Sequence, residues 1–337
     1  MKKRYLDRNR VRNFSFYLSE GDFEKKMETI VEPFLKGHEI RGTFEAADGS
    51  RIAYYQYALP DAKAGIVISH GFSEFAAKYS EWIYLFLRAG YSVFFIEHRG
   101  HGESARAVEG TEKIHIGSYE EYVQDLYTFV QKIVIPANGE NPCFLYAHSM
   151  GGAIGALTLE EFPELFDGAV LSAPMFSINM GVLPVWLAKF VARLQIKRKK
   201  GAEYAIGQHG YNGKEKFEES CSLSEARFRY IVKRREENVK CHTSGGTYSW
   251  ALASLLAQEK AVALDNVKKI VVPVLLFQAE NDTMVRPKGQ EKFVKRCKTA
   301  EMVIVTGSKH EIYNADEAVQ QAFFEEIIDF YEKLILK

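Results

Sequence analysis

The chain has 337 residues, with 44 Lys and Arg set against 44 Asp and Glu, so its formal net charge is zero. Balanced charge gives no reason to expect nucleic acid as a partner, and a chain of this length with 47% hydrophobic residues suits a core domain carrying an insertion. Its four cysteines (Cys143, Cys221, Cys241 and Cys297) are far apart and form no CxxC pair, which points to reduced thiols in a cytosolic protein rather than to a disulfide frame or a zinc site.

Met1-Lys2-Lys3-Arg4 is followed by Asp7, Arg8, Arg10 and Arg12 and never reaches an apolar stretch, so it does not read as a secretory signal. No run approaches the 18 or so apolar residues of a membrane span. Residues 1–36 are charged and weakly helical, and they read as an N-terminal extension on the outside. Two alternating runs from Glu39 to Leu59 flank Asp48-Gly49-Ser50, the pattern of an antiparallel hairpin.

The rhythm then changes. Residues 64–69, 91–96, 143–147 and 168–171 are continuous apolar runs separated by segments of helical period, such as Tyr119 to Ile133. Strands that are apolar on both faces and alternate with helices predict an α/β fold whose mostly parallel sheet is covered on both sides. From Ser172-Ala173-Pro174 to about Ala263 only helical segments appear (183–194, 222–232 and 248–256). Strand–helix alternation resumes at Ile270 to Phe277, then Met302 to Val305, and ends in a helix from Ala315 to Leu334. The expected organisation is a sheet domain over 37–173 and 264–337, with a helical lid inserted at 174–263.

In such a sheet the loops at the carboxyl ends of the strands converge on one crevice. Ala147-His148-Ser149-Met150-Gly151-Gly152 follows the apolar run Cys143 to Tyr146 and opens into a helical pattern. Strand, sharp turn and helix are the context of a nucleophile elbow. A plain serine N-cap does not need small residues at 147, 151 and 152, so Ser149 is the candidate nucleophile, inert until a base takes its proton. His70-Gly71-Phe72 follows the first parallel strand, and the amides of Phe72 and Met150 are the candidate oxyanion donors. Asp282, in the loop after Phe277, is the candidate partner of the base, with Glu280 as its competitor. His310, after the last strand, is the candidate general base, because Ser…Asp…His is the triad order of this fold.

Glu97-His98-Arg99-Gly100-His101 contains an HxxH pair, but without a third ligand at sensible spacing it reads as a structural loop. No metal is expected, and with no P-loop and no GxGxxG no cofactor is implied. Lys197-Arg198-Lys199-Lys200 follows a strongly apolar helix, a pairing that could rest on anionic lipid.

Together these residues resemble the α/β-hydrolase superfamily, and within it the lysophospholipase/monoacylglycerol lipase group. The markers are His70-Gly71-Phe72-Ser73-Glu74, the loop from Glu97 to Gly102, His148 to Gly152, Ser172 to Met175 and Gly307 to Glu311. Gly245-Gly246-Thr247-Tyr248-Ser249-Trp250 is similar to the bacterial lysophospholipase L2 branch. The departures are Ala147 at the first elbow position and Glu97 where many relatives carry Asp. The resemblance implies ester hydrolysis through an acyl-enzyme, a lid that forms an acyl-chain pocket with Tyr248 and Trp250 binding substrate, and a lipid substrate. The expected location is the cytoplasm or, peripherally, the inner membrane face. The alternatives are a monoacylglycerol lipase or general carboxylesterase and, from another class, a non-catalytic binding protein on the same fold.

Overall fold

The computed structural model describes residues 3–9, 14–108 and 112–336. Among the described residues nine strands form one sheet in the order β1-β9-β8-β7-β6-β4-β5-β3-β2. The hairpin comprises β2 (Glu39–Glu45) and β3 (Arg51–Tyr57), which pair antiparallel across a turn in which Gly49 has φ +80°. Positive φ is a conformation that glycine adopts without penalty. The strands β4 (Gly65–Ser69), β5 (Ser92–Ile96), β6 (Cys143–His148), β7 (Gly168–Ser172), β8 (Val274–Ala279) and β9 (Ala300–Val305) run parallel.

Every residue of β4 through β8 is buried. Helices on both faces account for this, and the side chains form two clusters, one on each side of the sheet. α1 (Ser80–Arg88) and α8 (Glu317–Ile335) contribute Trp82 and Phe323 to one cluster. α2 (Tyr119–Phe129) and α3 (Met150–Glu161) contribute Phe129 and Ile154 to the other.

The chain leaves β4 for β5 on one side and later returns to β6 on the other. The sheet therefore reverses direction at β4, and a crevice opens at the carboxyl ends of β4 and β6. Ser69 and Ala147 are register partners there, so the segments that continue into His70 and through His148 to Ser149 leave neighbouring strands at nearly one level.

Between β7 and β8 lies the helical block: α4 (Val185–Lys197), α5 (Glu225–Glu236) and α6 (Tyr248–Lys260), with α4 packed on α6. Arg227 of α5 is 1% exposed and forks onto Glu81 of α1 with two bonds of 2.8 Å, with Glu20 at 3.1 Å. This buried pair pins the block to the sheet domain.

The N-terminal segment differs from the sequence expectation. Lys3–Tyr5 forms β1, which pairs parallel with β9 at the sheet edge. The helical stretch 23–38 buries Phe23, Met27, Val31 and Leu35 against the core. Those residues recur every four positions and make one apolar stripe, which the surrounding Glu and Lys residues obscure in a composition count. A three-residue edge strand of Lys, Arg and Tyr carries no apolar pattern to reveal it. Met1, Lys2, Arg10 and Arg12 lie outside the described residues.

Candidate active site

Ser149 occupies the turn between β6 and α3 with φ +51° and ψ −112°, a strained conformation for a residue with a side chain. Its surroundings fix it there. The Ser149 amide donates to the Ser172 carbonyl at 3.0 Å, and its carbonyl accepts from Met175 at 2.8 Å and Ala153 at 3.2 Å. The turn closes only because its neighbours are small. A Cβ on Gly151 would stand 2.1 Å from the Ser69 carbonyl oxygen, and one on Gly152 would stand 2.7 Å from Pro174.

His310 is brought to this serine from the loop after β9. Ser149 Oγ lies 2.8 Å from His310 Nε2, and His310 Nδ1 lies 2.7 Å from Asp282 Oδ2. Asp282 is acceptor-only, so Nδ1 carries the proton and Nε2 is left to accept from the serine hydroxyl. The other Asp282 oxygen accepts the amides of Met284 and Val285 at 2.8 and 2.9 Å, which fixes the carboxylate plane. Glu280 is turned away, and its carboxylate accepts the Gly307 amide at 2.8 Å. All three side chains are under 10% exposed, so their electrostatic interactions are little screened.

The amides of Phe72 and Met150 have no hydrogen-bond acceptor among the described residues. Met150 opens α3, where the helix dipole adds positive potential. Each HxxH ring is held through one nitrogen, His98 Nε2 and His101 Nδ1, while His98 Nδ1 and His101 Nε2 are buried without a hydrogen-bond partner among the described residues. His70 Nε2 accepts the His98 amide at 3.0 Å, so His70 Nδ1 donates to the Gly71 carbonyl at 2.7 Å. Burial depresses the His70 pKa to about 4, although Glu74 opposes the shift. His98 Nε2 lies 2.8 Å from Ser69 Oγ, and the rings of His98 and His101 pack on His70 at 4.7 and 5.0 Å. Arg99 in the same loop binds Asp125 through two bonds, of 2.6 and 2.8 Å.

Of the two insertion residues, Trp250 reaches this region. Its ring lies 4.2 Å from that of Phe72. Tyr248 begins α6, and its amide donates to the Glu203 carbonyl; its described contacts are not with Ser149, His310 or Asp282.

Sequence reasoning missed a set of polar residues beneath these loops: Glu74, Lys78, His148, Glu311 and Tyr313, all well buried. Glu74 and Glu311 stand within the marker stretches but were given no role. The available signal was a Glu and a Lys four apart, at 74 and 78, in a segment otherwise destined for the core.

Residues 60–317 match the hydrolase family described as serine aminopeptidase, S33. The chain belongs to that family. Lysophospholipase L2 of Escherichia coli (strain K12) is 28% identical to this S33 member over 300 residues, covering 86% of each chain. Monoglyceride lipase of Homo sapiens is 36% identical over 135 residues, 40% of this chain and 42% of that protein. A thermostable carboxyl esterase from Bacillus coagulans superposes with a TM-score of 0.72 at 19% identity, covering 88% of this chain and 99% of that one, and shares the fold.

Proposed function

We propose that this chain is a lysophospholipase, a serine hydrolase that cleaves the acyl ester of lysophospholipids through an acyl-enzyme. The observation that carries the reading is the line of hydrogen bonds from Ser149 through His310 to Asp282. In the proposed reaction His310 Nε2 takes the hydroxyl proton as Ser149 Oγ attacks the ester carbonyl. Asp282 stabilises the imidazolium that forms. The Phe72 and Met150 amides receive the oxyanion. His310 then protonates the departing glycerol-type alcohol and activates water against the acyl-enzyme.

Residues 174–263 act in this reading as the lid, with Trp250 against Phe72 walling an acyl pocket and Tyr248 assigned to the substrate side. The lysophospholipid assignment draws on the likeness to the Escherichia coli protein along most of both chains. A monoacylglycerol substrate is the second reading, supported by the higher identity to the human enzyme over a shorter stretch. Among the described residues no helix is long and apolar enough to cross a membrane. α4 nevertheless leaves Trp186 70% and Phe190 58% exposed, which supports peripheral contact with an anionic membrane.

The test is fatty acid release from lysophosphatidylcholine, lysophosphatidylethanolamine and monoacylglycerol, with wild type and Ser149→Ala side by side. Serine-dependent release from the lysophospholipids is expected. Release from monoacylglycerol alone moves the assignment to the second reading, and release by Ser149→Ala at the wild-type rate removes the mechanism.

A further inference from the structure

Glu74 is a carboxylate enclosed between three segments, with a side chain 5% exposed. One oxygen accepts the Gly71 amide at 2.5 Å and the Tyr79 hydroxyl at 2.6 Å. The other accepts the Tyr313 hydroxyl at 2.5 Å and the Lys78 ammonium at 3.1 Å, and it lies 3.8 Å from His148 Nε2. Lys78 continues to Glu311 at 2.6 Å. Gly71 precedes the oxyanion donor Phe72, His148 precedes Ser149, and Glu311 and Tyr313 follow His310. The segments that carry the donor, the nucleophile and the base thus meet at one carboxylate.

Placing an ion there is costly unless its lone pairs are filled, and four donors fill them. Burial pushes the Glu74 carboxyl up, but Lys78, His148, Tyr313 and Tyr79 more than reverse this and hold it well below the usual carboxylate range. A hydrophobic residue would fill the same space without that cost, so a structural role alone leaves the choice of a charge unexplained.

The peptide planes supply the reason. In a trans peptide the C=O of one residue and the N–H of the next lie in one plane and point in opposite directions. The plane that carries the Phe72 N–H is therefore oriented by whatever holds the Gly71 carbonyl, which accepts from His70 Nδ1 at 2.7 Å and from the Glu74 amide at 3.4 Å. The preceding plane, carrying the Gly71 N–H, is held by Glu74. With both planes fixed, φ and ψ of Gly71 are fixed as well, although a glycine would otherwise turn freely. The space beside Gly71 is taken by Glu74 itself, whose oxygen would stand 2.8 Å from an added Cβ.

We propose that Glu74 is a positioning residue of the oxyanion hole: it locks the Gly71 peptide so that the Phe72 amide is aimed before substrate arrives, and through Tyr313 and Lys78–Glu311 it keeps that aim in register with the His310 loop. The proposal rests on the esterase reading above. Preorganised donors matter because they need no reorganisation as the oxyanion forms, and losing one costs about 10²–10³ in kcat. Glu74→Gln keeps the shape and one acceptor but loses the charge and one acceptor, so misalignment rather than full loss is expected.

The experiment compares wild type, Glu74→Gln and Tyr313→Phe on a soluble p-nitrophenyl ester and measures inhibition by an aryl boronic acid. Its tetrahedral adduct on Ser149 puts an oxygen where the oxyanion forms. Glu74→Gln should lower kcat by roughly 10- to 100-fold with KM within about twofold, and it should weaken the boronate by the same factor as kcat/KM. Tyr313→Phe leaves the carboxylate in place and should show the same pattern at a smaller size, which keeps the proposal testable if Glu74→Gln does not fold. Wild-type kcat and boronate affinity in folded Glu74→Gln, or a kcat deficit that disappears when rates are divided by titrated active sites, would overturn the proposal. A wild type silent on every ester would instead defeat the esterase reading on which it rests.

Discussion

Gly151 lies so close beneath Ser69 that a Cβ on it would stand 2.1 Å from the Ser69 carbonyl oxygen and 2.6 Å from that of His70. Both are backbone atoms at the end of β4, so neither can swing aside. The first turn of α3 packs directly on the strand that leads into His70-Gly71-Phe72, which gathers the Met150 and Phe72 amides at one crevice. Overpacking typically costs about 1–3 kcal/mol, and more where backbone must move. Gly151→Ala should lower the unfolding free energy measured in urea by that much and abolish most ester turnover. Gly37, in the helix Glu32–His38, is the control, because a Cβ there meets nothing within 4 Å. Gly37→Ala should be neutral or stabilising by roughly 0.5–1 kcal/mol. Equal effects at the two glycines would contradict the packing argument.

The two acids of the loop after β8 should separate by kinetics. Asp282 holds His310 Nδ1 at 2.7 Å, whereas Glu280 holds the Gly307 amide. Asp282→Asn keeps the size but lets the amide present its NH₂ to the ring, favouring the wrong tautomer, and a loss in kcat on the order of 10³–10⁴ is expected. Glu280→Gln retains an acceptor for Gly307 and should stay within a few-fold of wild type. Reversed magnitudes in the two rate constants would exchange the roles.

What the sequence disclosed follows from what is local. Ser149 and its small neighbours are an unbroken stretch, and the apolar runs of β4 to β8 need no tertiary information to be seen, since burial on both faces leaves no polar alternation. Ser149, Asp282 and His310 were legible as an order along the chain. The sequence leaves Glu280 as a competitor to Asp282, and the structure separates the two by what each carboxylate touches. Glu74 and Arg227 were not legible. Their partners lie up to 239 residues away, as with Glu74 and Tyr313, and no periodicity marks a buried charge. β1 was hidden for the opposite reason: an edge strand of three polar residues is defined by the partner strand alone.

Glu160, on α3, is buried, and neither carboxylate oxygen has a hydrogen-bond partner among the described residues. Burial raises its pKa to about 8, with Lys260 and Lys269 opposing. Because the folded-state value lies above the unfolded one of 4.5, the native state holds the proton more tightly. The contribution to stability is full below pH 4.5 and is lost as pH rises through 8. Glu160→Gln removes that loss, so its stability relative to wild type should increase between pH 5 and pH 9, by on the order of 3 kcal/mol. Urea unfolding of both proteins at the two pH values measures it. A difference that is flat with pH would mean the carboxyl is not being titrated by folding.

The proposed membrane contact has a defined face. Trp186 and Phe190, four residues apart on α4, are 70% and 58% exposed, and Val182, in the turn before the helix, is 102% exposed. Arg286 donates to the Gly181 carbonyl at 2.7 Å, so the turn that carries Val182 lies beside the start of α7 (Pro287–Arg296). Along α7 Lys288, Lys292 and Lys295 are exposed and, with Lys268, Lys298, Arg296, Leu264 and one acid, Glu291, line a groove of about 820 Å³. None of these five lysines has an acidic partner among the described residues. The Lys197 to Lys200 run sits at the other end of α4, roughly 15 Å along the helix from Trp186 at 1.5 Å per residue. A lysine near an anionic surface contributes roughly 1 kcal/mol, and only within a Debye length. Trp186→Ser with Phe190→Ser should therefore cut binding to phosphatidylglycerol vesicles at least about tenfold. Neutralising Lys288, Lys292 and Lys295 should weaken it more than neutralising 197–200, and phosphatidylcholine vesicles should hold little of any variant. Co-sedimentation that ranks the two lysine sets the other way would put the basic flank on the far end of α4, and equal binding by every variant would remove the membrane reading while leaving the hydrolytic one intact.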